Sequence, residues 1–320
     1  MQLFEVTIDH TLQVMVEGQS LAALTARLYD QLDRLLVKLQ PQWVLVHGDT
    51  TSAMVGSMVA YYHKCSIAHI EAGLRTHNVW APYPEEVNRQ VIARVTDLHC
   101  APTPSARDNL IKEGIDSSKI IITGNTVVDS LQHIMHSRKE AEGTDHFPTL
   151  TDKKYLLLTI HRRENQGLPL SNILKGLQRI ATQNPQLLLV FVLHPNPAVS
   201  QPIQDTFAEN KNVHLLPPQP YNKFVQLLSS AAVIITDSGG IQEEAPSLGR
   251  PVIVLRKSTE RKESVTTGQG ILVGSEAARL SSTVARLLSD EAYYNACLAP
   301  INPYGDGKAS QRIVDQLMRL

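Results

Sequence analysis

The segment from Val233 to Gly249, VIITDSGGIQEEAPSLG, combines residue types that can bind an anion. A β-branched run stops at Asp237 and Ser238, passes through two glycines and continues with the pattern of a helix. The first N–H groups of a helix have no internal partner and lie at the positive end of its dipole, while glycines let a phosphate approach the backbone closely. The segment therefore predicts a phosphate site at the amino end of a helix.

Two acidic residues, Glu243 and Glu244, follow this turn. They would repel a bare phosphate, but their oxygens can accept hydrogen bonds from the two hydroxyl groups of a ribose. The combination indicates a nucleotide diphosphate compound. A purely structural interpretation is also open, in which Ser238 caps the helix and the acidic residues stabilise its positive end.

Other polar residues follow apolar runs at the points where predicted strands end. Ligands of parallel α/β sheets bind outside the carboxyl ends of the strands, so carboxylates grouped there are candidates for acid and base chemistry. A single carboxylate at such a place is commonly a helix cap instead. Glu85 follows a proline and fits a first helical turn, where the dipole favours acids. The residues at predicted strand ends are Asp49, Glu71, His161 and His194.

The elements that must position these residues alternate between short apolar runs and helical patterns, which indicates βαβ units and parallel sheets. Leu3 to Met15 shows two short strand-like pieces, and Ser20 is placed to cap the helix that follows them. Strands are predicted at 43–46, 67–70, 98–101, 120–123, 155–160, 187–193, 213–216, 233–236, 251–255 and 271–273.

The length of 320 residues, 42% of them hydrophobic, is enough for two domains with large cores. We predict an α/β protein with two doubly wound Rossmann-like lobes that face each other. The first lobe covers residues 1–125 and carries catalysis, and the second covers residues 126–305 and binds the nucleotide. Periodicity leaves open whether the final helix, within 306–320, packs back on the first lobe. A polar connection is predicted from Gly143 to Asp152.

Composition excludes several classes of protein. The net charge of -1 and the lack of a basic run argue against nucleic acid or an anionic membrane as partner. Nothing resembles a signal peptide or a membrane span. The three cysteines are far apart and lack CxxC spacing, which is typical of reduced thiols in a cytosolic protein.

Known chemical motifs are also missing from the sequence. GxGxxG, GxxxxGK[ST] and G-x-S-x-G do not occur, so the nicotinamide or flavin fingerprint, the P-loop and the esterase nucleophile are absent. His47 with Asp49, or His161, has suitable residue types for a metal but no diagnostic spacing. No metal site is predicted.

Eight segments, in order along nearly the whole chain, together resemble the non-hydrolysing UDP-N-acetylglucosamine 2-epimerases. As a set they are highly specific. They are HGDTT at 47–51, HIEAGLRT at 69–76, PEEVNR at 84–89, ITGNTVVD at 122–129, HRRENQG at 161–167, TDSGGIQEEAPSLGRPVIVLR at 236–256, STER at 258–261 and NPYGDG at 302–307.

The resemblance implies the two-lobed GT-B fold, with the nucleotide held mainly by the second lobe and the sugar in the cleft. It implies conversion of UDP-N-acetylglucosamine to UDP-N-acetylmannosamine without NAD, by elimination of UDP to 2-acetamidoglucal and return of UDP and a proton from the other face. It further implies a cytoplasmic homodimer that serves the synthesis of surface polysaccharide precursors, with the substrate also acting as an activator.

Matched residue by residue, Asp49, Glu71 and Glu85 correspond to the family's catalytic acids, whose division of labour the sequence leaves open. His161 corresponds to a histidine near the diphosphate. Arg162 and His194 are candidates for the activator site. The matched substrate-binding residues are Gln219 and Phe224 on the uridine side, Ser238, Gly239 and Gly240 as phosphate cradle, Glu244 as ribose contact and Arg261 as a further arginine of the nucleotide site.

One departure from the family pattern affects the expected activity. The family begins with a strand and a GTRPE loop, whereas no G-x-R-P-E occurs here and the first catalytic aspartate is already residue 49. A βα unit of roughly 40 to 50 residues is therefore expected to be missing, which predicts a weak or inactive chain. A GT-B glycosyltransferase and a non-catalytic UDP-sugar-binding remnant remain as alternatives.

Overall fold

A computed structural model describes residues 2–140, 153–298 and 302–320 of the chain. The connection predicted from Gly143 to Asp152 lies outside these residues. The chain divides into two compact units: unit 1 comprises residues 1–126 and 305–320, and unit 2 comprises residues 127–304. The assignment of catalysis to one and nucleotide binding to the other stays a prediction.

Unit 1 is built from alternating helices and strands whose starts are set by local capping. The Ser20 side chain accepts a hydrogen bond from the backbone N–H of Ala23 at 3.1 Å, as the sequence predicted for the first helix. The elements are α1 (Leu21–Leu39), β1 (Trp43–His47), α2 (Thr51–Tyr62), β2 (Ser66–Ile70), α3 (Glu85–Val95), β3 (Leu98–Ala101), α4 (Pro104–Lys112) and β4 (Ile120–Ile122).

The sheet of unit 1 is parallel, and in the described part of the chain its order is β1-β2-β3-β4. Successive residues of a strand point to opposite faces. Ile67 joins a core cluster with α1 and α2, whereas its neighbour Ala68 joins a second cluster with Ile313 near the chain's end. The sheet is therefore covered on both faces.

Unit 2 contains the larger sheet, of six parallel strands. Its elements, and the last helix of unit 1, are α5 (Thr126–Glu140), β5 (Tyr155–Thr159), α6 (Leu168–Gln183), β6 (Leu188–Val192), α7 (Pro197–Phe207), β7 (Val213–Leu216), α8 (Tyr221–Ser230), β8 (Val233–Thr236), α9 (Gly239–Ser247), β9 (Val252–Val254), α10 (Lys262–Thr266), β10 (Gly270–Leu272), α11 (Ala277–Ser289), α12 (Glu291–Ala296) and α13 (Ala309–Leu317).

The strand order of this sheet is β10-β9-β8-β5-β6-β7. The chain starts in the middle at β5, builds outward through β6 and β7, and then returns to β8 on the other side of β5. This is the Rossmann order, and it places a topological switch point between β5 and β8. Apolar residues from both faces of β5 are buried in separate clusters, so helices cover the sheet on both sides.

The ten strands predicted from the sequence are all present, with ends that differ by no more than one residue. The strand-like pieces predicted within Leu3 to Met15 are wrong, because the structure has a 3-10 turn at Gln2–Phe4 and no strand in the described residues that precede α1. Most of that segment is exposed, and no described strand pairs with it. The expected absence of an N-terminal βα unit stays a prediction.

Two general features of the described residues bear on the sequence predictions. Cys65, Cys100 and Cys297 are free thiols. Across the described ranges, none of the helices combines the length and the apolar character needed to cross a lipid bilayer.

Candidate active site

Two of the predicted acids lie at the carboxyl edge of the unit 1 sheet. Asp49 follows β1 by two residues and Glu71 follows β2 directly, and these strands pair in parallel with His47 opposite Ile70. A Cβ atom added to Gly48 would lie 3.5 Å from Oε2 of Glu71. The Glu71 carboxylate is therefore beside the residue that precedes Asp49.

The backbone at Glu71 is in the left-handed region, with φ of +66°. A residue with a side chain adopts this conformation at a cost of about 1 kcal/mol or more, and such residues are concentrated at functional sites. The imidazole Nε2 of His47 lies 3.2 Å from Oε2 of Glu71. The turn after β2 thus presents a carboxylate held by a histidine from the neighbouring strand.

The third predicted acid, Glu85, is the first residue of α3. Its Oε2 atom is buried and has no hydrogen-bond partner among the described residues. Two further residues of the same helix bond to Asp49. Asn88 donates to the Asp49 backbone carbonyl at 2.9 Å, and Arg89 donates to the Asp49 carboxylate. Glu85 therefore begins the same helix that contacts Asp49.

In unit 2, the predicted histidine lies at the switch point. His161 follows β5 and Asp237 follows β8, and Nδ1 of the histidine lies 3.0 Å from Oδ1 of the aspartate. The histidine ring is 36% exposed, whereas the Asp237 side chain is fully buried. An aspartate at Nδ1 fixes the ring and directs Nε2 outward, where it can exchange a proton with a ligand.

The carboxylate of Asp237 is enclosed by hydrogen-bond donors. It accepts from the backbone N–H groups of His161 and Arg162 and from the Asn165 side chain, at 2.9–3.1 Å. Burial alone would raise the pKa of Asp237, but the His161 side chain and these donors together hold that pKa below its ordinary value. Asp237 is thus a fixed anion beneath His161.

The glycine turn after β8 leads into α9, as the sequence predicts. Ser238 occupies the N-cap position, and in the described chain its side chain makes no capping hydrogen bond. Gly239 and Gly240 are the first two helical residues. The hydroxyl of Ser238 and the first N–H groups of the helix are therefore the groups that an anion would meet.

The close approach at Gly239 has a defined neighbour. A Cβ atom there would lie 2.7 Å from Nη1 of Arg261, whereas one at Gly240 would meet only Oε1 of Glu244, at 3.9 Å. Arg261 is buried and donates from Nε to Glu243 at 2.7 Å and from Nη1 to Glu260. The guanidinium is engaged with two carboxylates and packs against the turn, and its contact with a nucleotide stays a prediction.

Glu244 is 6% exposed, and its Oε2 atom has no hydrogen-bond partner in the described part of the chain. Burial, followed by the charge of Glu243, raises the pKa of Glu244 to about 8. A buried carboxyl group without a partner is costly unless a ligand satisfies it. The group lies one turn into α9, and its oxygens can accept hydrogen bonds from sugar hydroxyls.

The remaining predicted residues of unit 2 also follow carboxyl ends of its strands. Gln219 lies after β7 and donates to the Pro217 carbonyl at 2.7 Å, and Phe224 packs on the core from α8. His194 follows β6, and its ring centroid is 6.1 Å from that of His161. The Nε atom of Arg162 is buried without a hydrogen-bond partner among the described residues.

The structure orders the predicted residues within each unit. Asp49 and Glu71 lie at the carboxyl edge of the unit 1 sheet, and Glu85 begins the helix that contacts Asp49. The predicted residues of unit 2 follow the carboxyl ends of its strands. Sequence reasoning did not include Asp237 and Arg89 in the site. The sequence shows that Asp237 comes one residue after the predicted strand β8 and that Arg89 lies one turn into the predicted helix α3. It does not show that they contact His161 and Asp49. Across the described residues, no three His, Cys, Asp or Glu side chains are placed to hold a metal ion.

The fold and the site define a class of protein. Two α/β units with parallel sheets, one in Rossmann order with a glycine turn and a histidine at its switch point, are typical of nucleotide-binding enzymes of the GT-B type.

Comparison with known proteins identifies the family. The UDP-N-acetylglucosamine 2-epimerase family matches residues 1–318, and the chain belongs to this family. The UDP-N-acetylglucosamine 2-epimerase of Neisseria meningitidis serogroup A is 43% identical over 324 residues, which cover 100% of this chain and 87% of the relative. That of Escherichia coli K12 is 43% identical over 323 residues, which cover 99% of this chain and 86% of the relative.

Solved structures agree with this assignment. The crystal structure of the N. meningitidis enzyme bound to UDP-GlcNAc superposes with a TM-score of 0.96 at 43% identity, covering 100% of this chain and 87% of that one. The Methanocaldococcus jannaschii enzyme in complex with UDP-GlcNAc and UDP gives a TM-score of 0.90 at 33% identity, covering 100% and 86%. The predicted fold class and the predicted resemblance to epimerases, which are isomerases, are confirmed.

Proposed function

We propose that this protein converts UDP-N-acetylglucosamine to UDP-N-acetylmannosamine. In the first half of the reaction, the C2 proton and the bond between C1 and the diphosphate oxygen are lost, which gives 2-acetamidoglucal and UDP. In the second half, UDP adds back at C1 and a proton adds at C2 from the opposite face. Atoms and electrons balance without an external oxidant or reductant.

The observation that carries this proposal is the arrangement at the switch point of unit 2. His161, held at Nδ1 by Asp237, lies at the end of β5, and α9 begins three residues after the end of the adjacent strand β8. Helix-end N–H groups stabilise the negative charge of a departing diphosphate, and a positioned imidazole stabilises or protonates it. We assign the diphosphate to Ser238, Gly239 and Gly240 with His161 beside it.

The contacts to the nucleoside follow from the same edge of the sheet. Glu244 would accept hydrogen bonds from the ribose hydroxyls, since its buried carboxyl group otherwise lacks a partner for Oε2 among the described residues. Gln219 and Phe224 would contact the uracil, and Arg261 would support the phosphate turn by packing on Gly239. UDP binding is therefore assigned to unit 2.

The proton transfers are assigned to the acids of unit 1. Asp49, Glu71 and Glu85 would between them remove the C2 proton, return it from the other face and stabilise the oxocarbenium-like sugar. Their different partners give them different surroundings: Arg89 for Asp49, and His47 for Glu71. Carboxyl groups in different surroundings can serve as acid and base in one reaction.

Regulation and setting complete the proposal. We assign the activating second substrate molecule to Arg162 and His194, because the His194 ring stacks beside His161 and a ligand there would lie beside the proposed diphosphate site.

We place the protein in the cytoplasm as a homodimer that supplies precursors of surface polysaccharides. Sedimentation tests the dimer, and a sigmoidal dependence of rate on substrate tests the activation.

The test of the reaction is NMR of UDP-N-acetylglucosamine incubated with the protein in deuterated water. The expected result is deuterium at C2 together with the manno isomer. Asp49→Asn is expected to abolish this exchange and to leave the affinity for UDP largely unchanged. An unlabelled C2 with the wild-type protein would contradict the proposal, and UDP binding without product would mark a binding protein.

A further inference from the structure

We propose that Arg89 is a positioning residue for the reaction, which, anchored by Glu86, fixes the carboxylate of Asp49 relative to Glu85. The inference rests on the proposed function, because Asp49 and Glu85 are acids of the proposed reaction. Neither Arg89 nor Glu86 is assigned to contact the substrate.

The contact between Arg89 and Asp49 joins a buried cation to a partly exposed acid. The Arg89 side chain is 3% exposed and the Asp49 side chain is 26% exposed. Nη2 of the guanidinium donates to Oδ2 of the carboxylate. No other described residue is bonded to this carboxylate, so Oδ1 is left for a ligand. One oxygen is thus held by the protein while the other is presented.

Glu86 provides the anchor for Arg89. Its carboxylate is fully buried and accepts a hydrogen bond from Nη1 of Arg89 at 3.1 Å. It also accepts from the backbone N–H groups of Thr76 and His77, both at 3.0 Å, and from Gln90 at 3.3 Å. A buried ion pair is stable only when further hydrogen bonds satisfy it, and here they do. The guanidinium therefore has one preferred orientation.

The same helix couples the two acids. Asn88 donates to the backbone carbonyl of Asp49 at 2.9 Å, so α3 holds both the main chain and the side chain of that residue. Glu85 precedes Arg89 by four residues and lies on the same face of the helix. A change at Arg89 would consequently shift Asp49 relative to Glu85, while the helix itself stays in place.

A second buried arginine of unit 1 offers a matched control. Arg75 is 1% exposed and forms a two-point ion pair with Glu113, at 2.7 and 2.9 Å. Its other described side-chain contact is the Leu74 carbonyl, at 2.8 Å. Loss of Arg75 would therefore cost stability as loss of Arg89 does, but it would leave the carboxylate of Asp49 in place.

The experiment compares Arg89→Lys with Arg75→Lys. A lysine lacks the planar fork and cannot donate to Asp49 and Glu86 in the same geometry. We expect Arg89→Lys to lower kcat about 10²-fold, the size of effect that a misplaced catalytic group gives, with KM and the Kd for UDP within about twofold of wild type. Arg75→Lys is expected to lower Tm similarly and to keep kcat within about twofold.

Chemical rescue adds a measurement that does not depend on the stability of the variant. Guanidinium, at concentrations below those that unfold the protein, is expected to restore activity to Arg89→Ala at least about tenfold and to leave Arg75→Ala unchanged. Should Arg89→Ala fail to fold, Glu86→Gln serves in its place, and it is expected to lower kcat without a change in UDP affinity. Wild-type kcat in Arg89→Lys, or a loss matched by Arg75→Lys, would overturn the inference.

The proposed function can fail separately. If the wild-type protein does not exchange C2 deuterium, the proposed reaction is wrong, and the positioning role is then decided by a crystal structure of Arg89→Lys. A rotated Asp49 carboxylate supports positioning by Arg89. An Asp49 side chain that keeps its wild-type orientation overturns it, whatever reaction the protein performs.

Discussion

His161 Nδ1 lies 3.0 Å from Oδ1 of Asp237, and this contact joins the ends of β5 and β8, two strands that are adjacent in the sheet but separated by more than seventy residues in the chain. Asp237 is buried and accepts three further N–H groups, so its position is fixed by the fold. The histidine is thereby oriented by a residue whose own side chain is fully buried.

The first prediction concerns this orientation. Asp237→Asn replaces one acceptor oxygen by an NH₂ group that faces N–H donors, so the ring of His161 loses its fixed tautomer. We expect kcat for epimerisation to fall by about 10²-fold or more, and the free energy of unfolding to fall by about 1–3 kcal/mol. Steady-state kinetics and urea unfolding measure the two effects.

The control for this variant is the double mutant with His161→Asn. Residues that act as a unit have losses that do not add. The double variant should therefore be little slower than His161→Asn alone. Fully additive losses in kcat would show that Asp237 acts on the reaction by another route.

The sequence predicted the strands and the edge of the sheet at which the site lies, because apolar runs of four or five residues and the polar residues that end them are local signals. It could not predict the pairing of Asp237 with His161. That pairing depends on the strand order, in which β8 returns to lie beside β5. A local pattern carries no information on that order.

The same limit explains two other residues. Glu86 and Arg89 were visible only as charges in the first two turns of a predicted helix, where solvent exposure is the usual outcome. Their burial follows from the packing of α3 against unit 1 and from the turn at 76–77 that donates to Glu86. The strands predicted within Leu3 to Met15 are wrong for a related reason. Their alternating pattern is a local signal, but a strand also needs a partner, and no described strand pairs with this segment.

The second prediction compares the two glycines of the phosphate turn. Gly239→Ala would place a Cβ atom 2.7 Å from Nη1 of Arg261, which Glu243 and Glu260 prevent from moving away. We expect it to lower the free energy of unfolding by about 1–3 kcal/mol and to weaken UDP binding at least about tenfold, since 1.4 kcal/mol is tenfold in Kd.

Gly240→Ala is the matched control for stability, because its Cβ atom would meet only Glu244, at 3.9 Å. Alanine is the better helix former, by about 1 kcal/mol at an interior position, so this variant should be as stable as wild type or more stable. Equal destabilisation by both alanines in thermal unfolding would contradict the role given to Arg261.

The third prediction concerns Glu244 and pH. Burial and the charge of Glu243 raise its pKa to about 8, so the folded protein holds a proton that the unfolded chain releases from about pH 4.5 upward. Its contribution to stability is therefore lost as pH rises from 4.5 to 8, by at most about 1.4 kcal/mol per pH unit. Glu244→Gln removes this dependence.

Glu244→Gln should accordingly gain stability over wild type as pH rises, while it binds UDP about tenfold more weakly because the ribose contact is altered. Urea unfolding at pH 5 and pH 8 and calorimetry with UDP measure both effects. A difference in stability between variant and wild type that is the same at the two pH values would show that the carboxyl group of Glu244 titrates normally.

The fourth prediction concerns two buried histidines in the sheet of unit 1. His69 on β2 pairs in register with His99 on β3, and both are fully buried. His69 bonds through Nε2 to the Gly48 carbonyl at 2.8 Å, whereas neither ring nitrogen of His99 has a partner among the described residues. Burial lowers the pKa of His69 to about 4 and that of His99 to about 3.

Because both folded-state pKa values lie below that of the unfolded chain, near 6.5, the unfolded state binds protons that the folded state excludes. Stability is therefore retained above about pH 6.5 and is lost as pH falls below it, by up to about 1.4 kcal/mol per pH unit for each histidine. His99→Leu removes one of the two contributions together with two unsatisfied nitrogens.

We expect His99→Leu to be as stable as wild type or more stable at pH 7, since replacing an unpaired buried polar group by an apolar one of similar shape is neutral or favourable. At pH 5 the free energy of unfolding of the variant should exceed that of wild type by a further amount of about 2 kcal/mol, because pH 5 lies about 1.5 units below the unfolded pKa and each unit is worth about 1.4 kcal/mol. His69→Leu is the control, because it also loses the bond to Gly48 and should be destabilised at pH 7. If urea unfolding shows His99→Leu to be destabilised equally at pH 5 and pH 7, the imidazole of His99 has hydrogen-bond partners, such as buried water, and its lowered pKa is wrong.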